Sequence, residues 1–342
     1  MVGLMGREAS SRRGLRLLVA PTLLILAGIL VAPTLLILAG ILVAYGMLTG
    51  CSQGGAPSTQ NAGKKKPVVL TTFTVIQDMA QQVAGDHLDV QSITKPGAEI
   101  HDYEPTPDDI TRAEGADLVL DNGLGLERWF ERFIADSHAK RVELSKGVEP
   151  MEIAEGEYQG NANPHAWMSP KNGQIYVDNI VRAFSELDPD HADEYKSNGE
   201  AYKARIQKVA DELEEGLSKL PEGSRTLVTC EGAFSYLCRD AKLNEVYLWP
   251  VNAENEGTPQ QVASVIEKVR SAGVPTVFCE STVNPKAMQQ VAEATGTNLS
   301  TDADHMLYVD SLSDADGPVP SYLELLRHDA RVIVEGLSKG RS

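Results

Sequence analysis

Asp190–Leu220 reads DHADEYKSNGEAYKARIQKVADELEEGLSKL. Tyr195, Tyr202, Ile206, Val209, Leu213 and Leu217 recur at helical intervals, the positions between them are densely charged, and Pro221 stops the run. About thirty residues at 1.5 Å each make a helix of roughly 45 Å, longer than an ordinary domain helix. A surface helix of one domain and a strut between two domains both fit this pattern. The flanking sequence favours the strut, because strand–helix alternation restarts just beyond it.

Before the strut, Val68–Phe73 (VVLTTF), Leu88–Ile93, Asp117–Asp121 and the weaker Arg141–Leu144 read as strands. Val75–Ala84 and Leu126–Ala135 read as helices between them. Short β-branched apolar runs of this kind suit buried parallel strands. After the strut, strands are expected at Thr226–Cys230, Glu245–Trp249, Pro275–Cys279 and Met306–Val309. Helices are expected near Ala233–Asp240, Pro259–Ala272, Pro285–Ala294 and Tyr322–Leu337. The fold class is therefore α/β: two lobes with parallel sheets, residues 67–189 and 221–342, joined by a rigid helix over 190–220, with a cleft between them.

The first fifty residues have a different character. Arg7, Arg12, Arg13 and Arg16 outnumber the single Glu8, and Leu17–Leu48 carries no charge. Val19–Leu30 (VAPTLLILAGIL) is repeated at Val31–Leu42, which lengthens an ordinary apolar signal core to a span that would cross a bilayer. Leu48-Thr49-Gly50-Cys51 then resembles the lipobox of bacterial lipoproteins, in which the cysteine is lipidated and the chain is cut before it. Residues 1–50 are expected to be a lipoprotein signal peptide and Cys51 the lipid-bearing residue. Residues 51–66, rich in Gly, Ser, Gln, Asn and Lys, read as a flexible tether. The expected location is the bacterial cell envelope, held by that anchor on the outer face of the cytoplasmic membrane or in the periplasm.

The 342 residues carry 31 basic and 48 acidic side chains, a net charge of −17. Without the basic leader the remainder stands at −20. So acidic a body excludes nucleic acid as a partner and would gather cations. No HExxH, CxxC or P-loop motif occurs, which argues against an enzyme. Two histidines stand in Pro-rich loops: His101 in KPGAEIHDYEPTP and His165 in NPHAWMSP. Glu231 and Asp310 follow expected strands of the second lobe. Ligands collect outside the carboxyl ends of strands in α/β sheets, and neutral imidazoles with carboxylates suit a divalent transition metal. Residue types alone leave open whether these are ligands or ordinary loop and strand-end residues.

PGAEIHDYEPTP, NPHAWMSP, CEGAFSYL, ENEGTPQQ and YVDSLS, in this order, resemble the metal-binding lipoproteins of manganese/zinc ABC transporters, and the likeness runs over about Pro67–Leu337. The tail GPVPSYLELLRHDARVIVEGL is most similar to the manganese-binding branch. The resemblance implies two α/β lobes joined by one long helix, and metal ligands at His101, His165, Glu231 and Asp310. The zinc branch usually has a third histidine where this chain has Glu231, and often a His-rich loop between its first two ligands. Residues 102–164 contain only His138. Both departures point to Mn²⁺ ahead of Zn²⁺ or Fe²⁺. The partners implied are an ABC permease and its ATPase, and the chain is expected to act as a monomer. An envelope adhesin and a metal-dependent hydrolase remain as other classes of function.

Cys230 and Cys279 each end an expected strand and each precede a glutamate. A disulfide, as some relatives of the manganese branch resemble, and a pair of buried thiols both fit. Cys238 reads as core. Trp129, Trp167 and Trp249 are expected to pack cores or lobe interfaces, and His87, His138, His191, His305 and His328 to lie at the surface. Glu104 is expected either to cap a turn or to orient His101.

Overall fold

The computed structural model describes residues 65–133, 139–156, 158–221, 224–251 and 257–339. The leader, its repeat, Cys51, most of the tether, His138, Glu254 and Glu256 lie outside these residues. No helix among the described residues is long and apolar enough to cross a membrane.

The first lobe holds a four-stranded parallel sheet in the order β2-β1-β3-β4, formed by β1 (Val68–Thr71), β2 (Asp89–Ser92), β3 (Leu118–Asp121) and β4 (Lys140–Glu143). β1 and β3 are central and almost wholly buried, as their unbroken apolar runs require. Helix α1 (Thr74–Ala84) follows β1, α2 (Pro107–Glu114) follows β2, and α3 (Arg128–Phe133) follows β3. Helix α2, which the sequence reading did not anticipate, starts in a capping box. Thr106 Oγ1 accepts from Asp109 N, and Asp109 Oδ2 accepts from Thr106 N. Beyond β4 the chain makes a short hairpin and reaches α4 (Pro170–Leu187), capped by Ser169 and begun by Pro170.

The strut is a single helix, α5 (Ala192–Ser218), 27 residues or about 40 Å long, preceded by a 3₁₀ turn at Pro189–His191. Its buried face is Tyr195, Gly199, Tyr202, Ile206, Val209, Leu213 and Leu217. Two glycines mark close helix crossings. A Cβ at Gly199 would meet Val181 of α4 at 2.4 Å, and one at Gly216 would meet Val334 at 2.8 Å. Val334 belongs to α9 (Tyr322–Ser338), the last helix. The strut is thus sewn to the first lobe through α4 and to the C-terminal helix near its other end.

The second lobe departs from the expected four-stranded sheet. Among its described residues, only β5 (Thr226–Glu231) and β6 (Asn244–Trp249) form a regular parallel ladder. Residues 275–280 and 306–309 are extended and run alongside, but they form isolated bridges, Thr276 with Asn298 and Glu280 with Leu307. Phe278 N donates to Val228 O (2.8 Å) and Leu307 N to Cys279 O (3.0 Å), so the sheet continues through these segments without regular pairing. Pro275 has no N–H to give to a ladder, and Thr276 Oγ1 ties this segment to Gly336 O of α9. Helices α6 (Ser235–Ala241), α7 (Pro259–Ala272) and α8 (Lys286–Thr295) complete this lobe. One apolar core runs from the first lobe through the strut into α9 and the inner side of the second lobe. A separate one fills the space between β5, β6, α7 and α8.

His328 is a correction to the sequence reading. It is buried on α9, and its Nε2 bonds Met306 O at 2.8 Å, helping to hold the segment that leads to Asp310.

Candidate metal centre

His101, His165, Glu231 and Asp310 come from four separate segments and meet at one point. Each offers a ligand atom within 4.8 Å of the other three. His101 sits on the loop between β2 and α2, and His165 just ahead of the 3₁₀ turn that leads into α4. Glu231 is the last residue of β5, and Asp310 follows the extended segment 306–309. The first lobe supplies two nitrogens and the second two carboxylates.

His101 Nε2 lies 3.1 Å from His165 Nε2, 3.3 Å from Glu231 Oε1 and 3.9 Å from Asp310 Oδ1. His165 Nε2 lies 3.4 Å and 3.8 Å from the same two oxygens. A regular tetrahedron with such edges has its centre about 1.9–2.4 Å from each corner, the bond length of a first-row divalent ion to nitrogen and oxygen. The side chains of His165, Glu231 and Asp310 are fully buried, while that of His101 is 7% exposed. His101 therefore stands on the solvent side of the group.

Burial decides the charge states. Desolvation, reinforced by the neighbouring His165, holds His101 well below the usual imidazole range. Desolvation alone brings His165 down to about 3. Both rings are neutral and have lone pairs to give. Desolvation, then the nearby carboxyls of Glu231, Glu99 and Glu280, pushes Asp310 well above the ordinary carboxylate range. Four acidic groups gathered around one buried point are costly without a counter-charge, which a divalent cation would supply.

The four converging side chains are held by their own surroundings. Glu99 Oε1 accepts from Ile100 N and His101 N, each at 2.8 Å, and Trp129 Nε1 donates to Ile100 O at 2.9 Å. It is Glu99, and not the exposed Glu104, that shapes the His101 loop. Asn163 Oδ1 accepts from His165 N and Nδ1 at 3.0 and 2.9 Å. Trp167, fully buried at the lobe interface, donates from Nε1 to Val309 O, one residue before Asp310 (3.1 Å). Thr282 Oγ1 donates to Asp310 Oδ2 at 3.4 Å.

Cys230 and Cys279 are joined as a disulfide with Cα atoms 4.9 Å apart. It ties the end of β5 to the segment 275–280, and each sulfur-bearing residue precedes a glutamate of the centre's surroundings. Glu280 is fully buried, and its Oε2 accepts from Glu231 N at 3.3 Å. Desolvation, then the charge of Glu231, pushes its carboxyl well up. Sequence reasoning noted Glu280 only as the neighbour of Cys279. Its role beside Glu231 needed the pairing of two segments 49 residues apart. Cys238 is free and buried on α6. A cavity of about 360 Å³ between Tyr158, Tyr247 and Lys268 lies apart from this centre, and none of the four converging residues lines it.

Comparison with known proteins finds metal-binding relatives over most of the chain. Residues 69–336 match the family model described as ZnuA, zinc-uptake complex component A, periplasmic. The iron-binding protein YfeA of Yersinia pestis is 50% identical over 276 residues, 80% of this chain and 88% of that protein. The manganese ABC transporter substrate-binding lipoprotein PsaA of Streptococcus pneumoniae is 32% identical over 303 residues, 86% and 95% of the two chains. Among solved structures, a Mn-bound periplasmic metal-binding protein from Candidatus Liberibacter asiaticus superposes with a TM-score of 0.74 at 35% identity. It covers 80% of this chain and all of that one. A Cd-bound form of the protein from that organism superposes with a TM-score of 0.73.

Proposed function

The chain belongs to the ZnuA family of periplasmic metal-uptake components, and from that premise we propose that it is an extracytoplasmic solute-binding protein of an ABC transporter whose cargo is Mn²⁺. The observation that carries the proposal is the convergence of His101, His165, Glu231 and Asp310 from both lobes on one buried point. Two neutral imidazoles and two carboxylates make a harder donor set than three imidazoles, which suits manganese. A carboxylate that binds through both oxygens raises the coordination number above four, again in favour of Mn²⁺. The relatives named for manganese and the Mn-bound structural neighbour support the same choice.

Iron is the second reading, favoured by one observation: the relative with 50% identity is named iron-binding. Zn²⁺ binds such ligands more tightly than Mn²⁺ on general grounds, so transport selectivity would rest on geometry and on which loaded form the permease accepts. The ion is carried and not transformed, and no reaction is assigned to the site. Delivery is to a membrane permease driven by an ATPase, and Cys51 is the proposed lipid anchor.

Calorimetric titration of metal-free protein with Mn²⁺, Fe²⁺ and Zn²⁺ tests the site. One ion per chain is expected, and Ala at any of the four positions should weaken binding at least about 100-fold, since each removes a direct ligand. Wild-type affinity in any of those variants would sink the site.

A further inference from the structure

Asn163 touches both lobes at the metal centre with opposite chemistry at its two ends. Its Oδ1 accepts from His165 N (3.0 Å) and from His165 Nδ1 (2.9 Å). Its Nδ2 donates to Gly232 O (2.7 Å), the carbonyl just after Glu231, and to Ser235 Oγ (3.2 Å). The amide cannot be turned around. A backbone N–H only donates and a backbone carbonyl only accepts, so the reversed group would set NH₂ against His165 N–H and oxygen against Gly232 oxygen.

Two consequences follow from that fixed orientation. With an acceptor facing it, His165 Nδ1 must carry the proton, and the lone pair then sits on Nε2, the atom that faces His101, Glu231 and Asp310. In the other tautomer the Nε2 proton would occupy the place where the lone pair is needed. The second consequence is mechanical, because His165 of the first lobe is hydrogen-bonded through Asn163 to the turn that follows Glu231 in the second. The residue is 2% exposed, so water competes for neither end. Tyr236 OH, also from the second lobe, donates to Asn163 O at 2.8 Å and holds the backbone in place.

We propose that Asn163 is a positioning residue that performs two separable tasks, fixing the His165 tautomer for metal capture and latching the second lobe to the first at Gly232. The proposal rests on the metal-binding reading of the four ligands and deepens it. The tasks separate by substitution. Asn163→Asp keeps an acceptor for His165 Nδ1 but places a carboxylate oxygen against Gly232 O, so the tautomer survives and the latch is lost. Asn163→Leu, of similar volume, loses both.

The test uses purified protein. Ring ¹⁵N shifts of His165, assigned by comparison with His165→Ala, should show a single Nδ1–H tautomer in wild type and Asn163→Asp, and a mixture in Asn163→Leu. Stopped-flow transfer of Mn²⁺ to a chelator should be about tenfold faster from Asn163→Asp than from wild type. Asn163→Leu should in addition bind Mn²⁺ about 10–100-fold more weakly, the usual loss when a ligand's orienting partner goes. Unchanged circular dichroism in both variants separates these effects from misfolding, and Asn163→Asp serves as the near-isosteric control if the Leu variant folds poorly. A single Nδ1–H tautomer in Asn163→Leu, or release from Asn163→Asp at the wild-type rate, would overturn the proposal. His165→Ala distinguishes the two levels. If it loses Mn²⁺ while both Asn163 variants behave as wild type, only this inference fails. If it binds as wild type, the metal site itself fails.

Discussion

Breaking the Cys230–Cys279 bond perturbs both stability and the metal centre, and the size of each effect follows from the structure. The bond closes a loop with a sequence separation of 49. Chain-entropy arguments assign such a loop about 4 kcal/mol of stabilisation at 25 °C, by restricting the unfolded chain. For a body of this size, at about 2.1 cal/mol/K of unfolding entropy per residue, that corresponds to a fall of roughly 7 °C in melting temperature. The local effect is smaller. After reduction, β5 and the segment 275–280 still share the Phe278 N to Val228 O bond and the Glu231 N to Glu280 Oε2 contact. Glu231 should therefore loosen without leaving the centre, and Mn²⁺ affinity should fall several-fold. The assay compares oxidised protein, protein reduced by a reagent that does not bind metal, and the Cys230→Ala/Cys279→Ala pair, all in the Cys238→Ser background to prevent exchange. Denaturant unfolding of the metal-free forms gives the stability term, and titration gives the affinity. A stability difference under about 1 kcal/mol would refute the loop-closure argument, and equal affinities in oxidised and reduced protein would refute the coupling to Glu231.

Other predictions concern the lobe interface and the buried acids. A Cβ at Gly173 would stand 2.2 Å from the hydroxyl of Tyr322, which donates to Trp167 O, so Gly173→Ala should cost about 1–3 kcal/mol in denaturant unfolding. Tyr322→Phe leaves that buried carbonyl without its donor and should cost about as much. The double variant should cost less than the sum, because removing the hydroxyl relieves the clash; strict additivity would contradict this packing. Glu127 is fully buried, and desolvation, then the charge of Asp121, brings it up to about 8 from an ordinary 4.5. Its proton is held in the folded state and released on unfolding, so its contribution is complete below about 4.5 and is lost as pH rises through about 8. Metal-free wild type should therefore lose stability between pH 5 and 8.5 more steeply than Glu127→Gln; parallel slopes would count against it.

The sequence was most legible where a pattern repeats. The strut was readable because Tyr195 to Leu217 keep one apolar face over more than six turns, and its observed bounds fall within two residues of those expected. Helix α7 was readable because Pro259 stands at its first position, inside the capping box formed by Thr258 and Gln261. The edges of the second lobe were less so. PTVFC and MLYV have strand composition, yet composition does not reveal that their partners pair with them at single residues only. The four converging residues were visible through their motifs, whereas what supports them was not. Asn163 stood inside a quoted motif, but its two-sided bonding depends on Gly232, 69 residues away. Glu99 was passed over for Glu104 because spacing alone does not say which carboxylate turns back onto the His101 amide.

Neither the acidic body nor the two-lobed fold names a cargo; the central claim is one manganese ion held by His101, His165, Glu231 and Asp310. Elemental analysis of the protein isolated from its native envelope, beside the His165→Ala/Glu231→Ala double variant isolated the same way, tests it most directly. The account predicts about one equivalent of divalent metal per chain, predominantly manganese, in wild type and close to none in the variant. Wild-type protein without a stoichiometric transition metal, or a variant loaded to the same level, would contradict it.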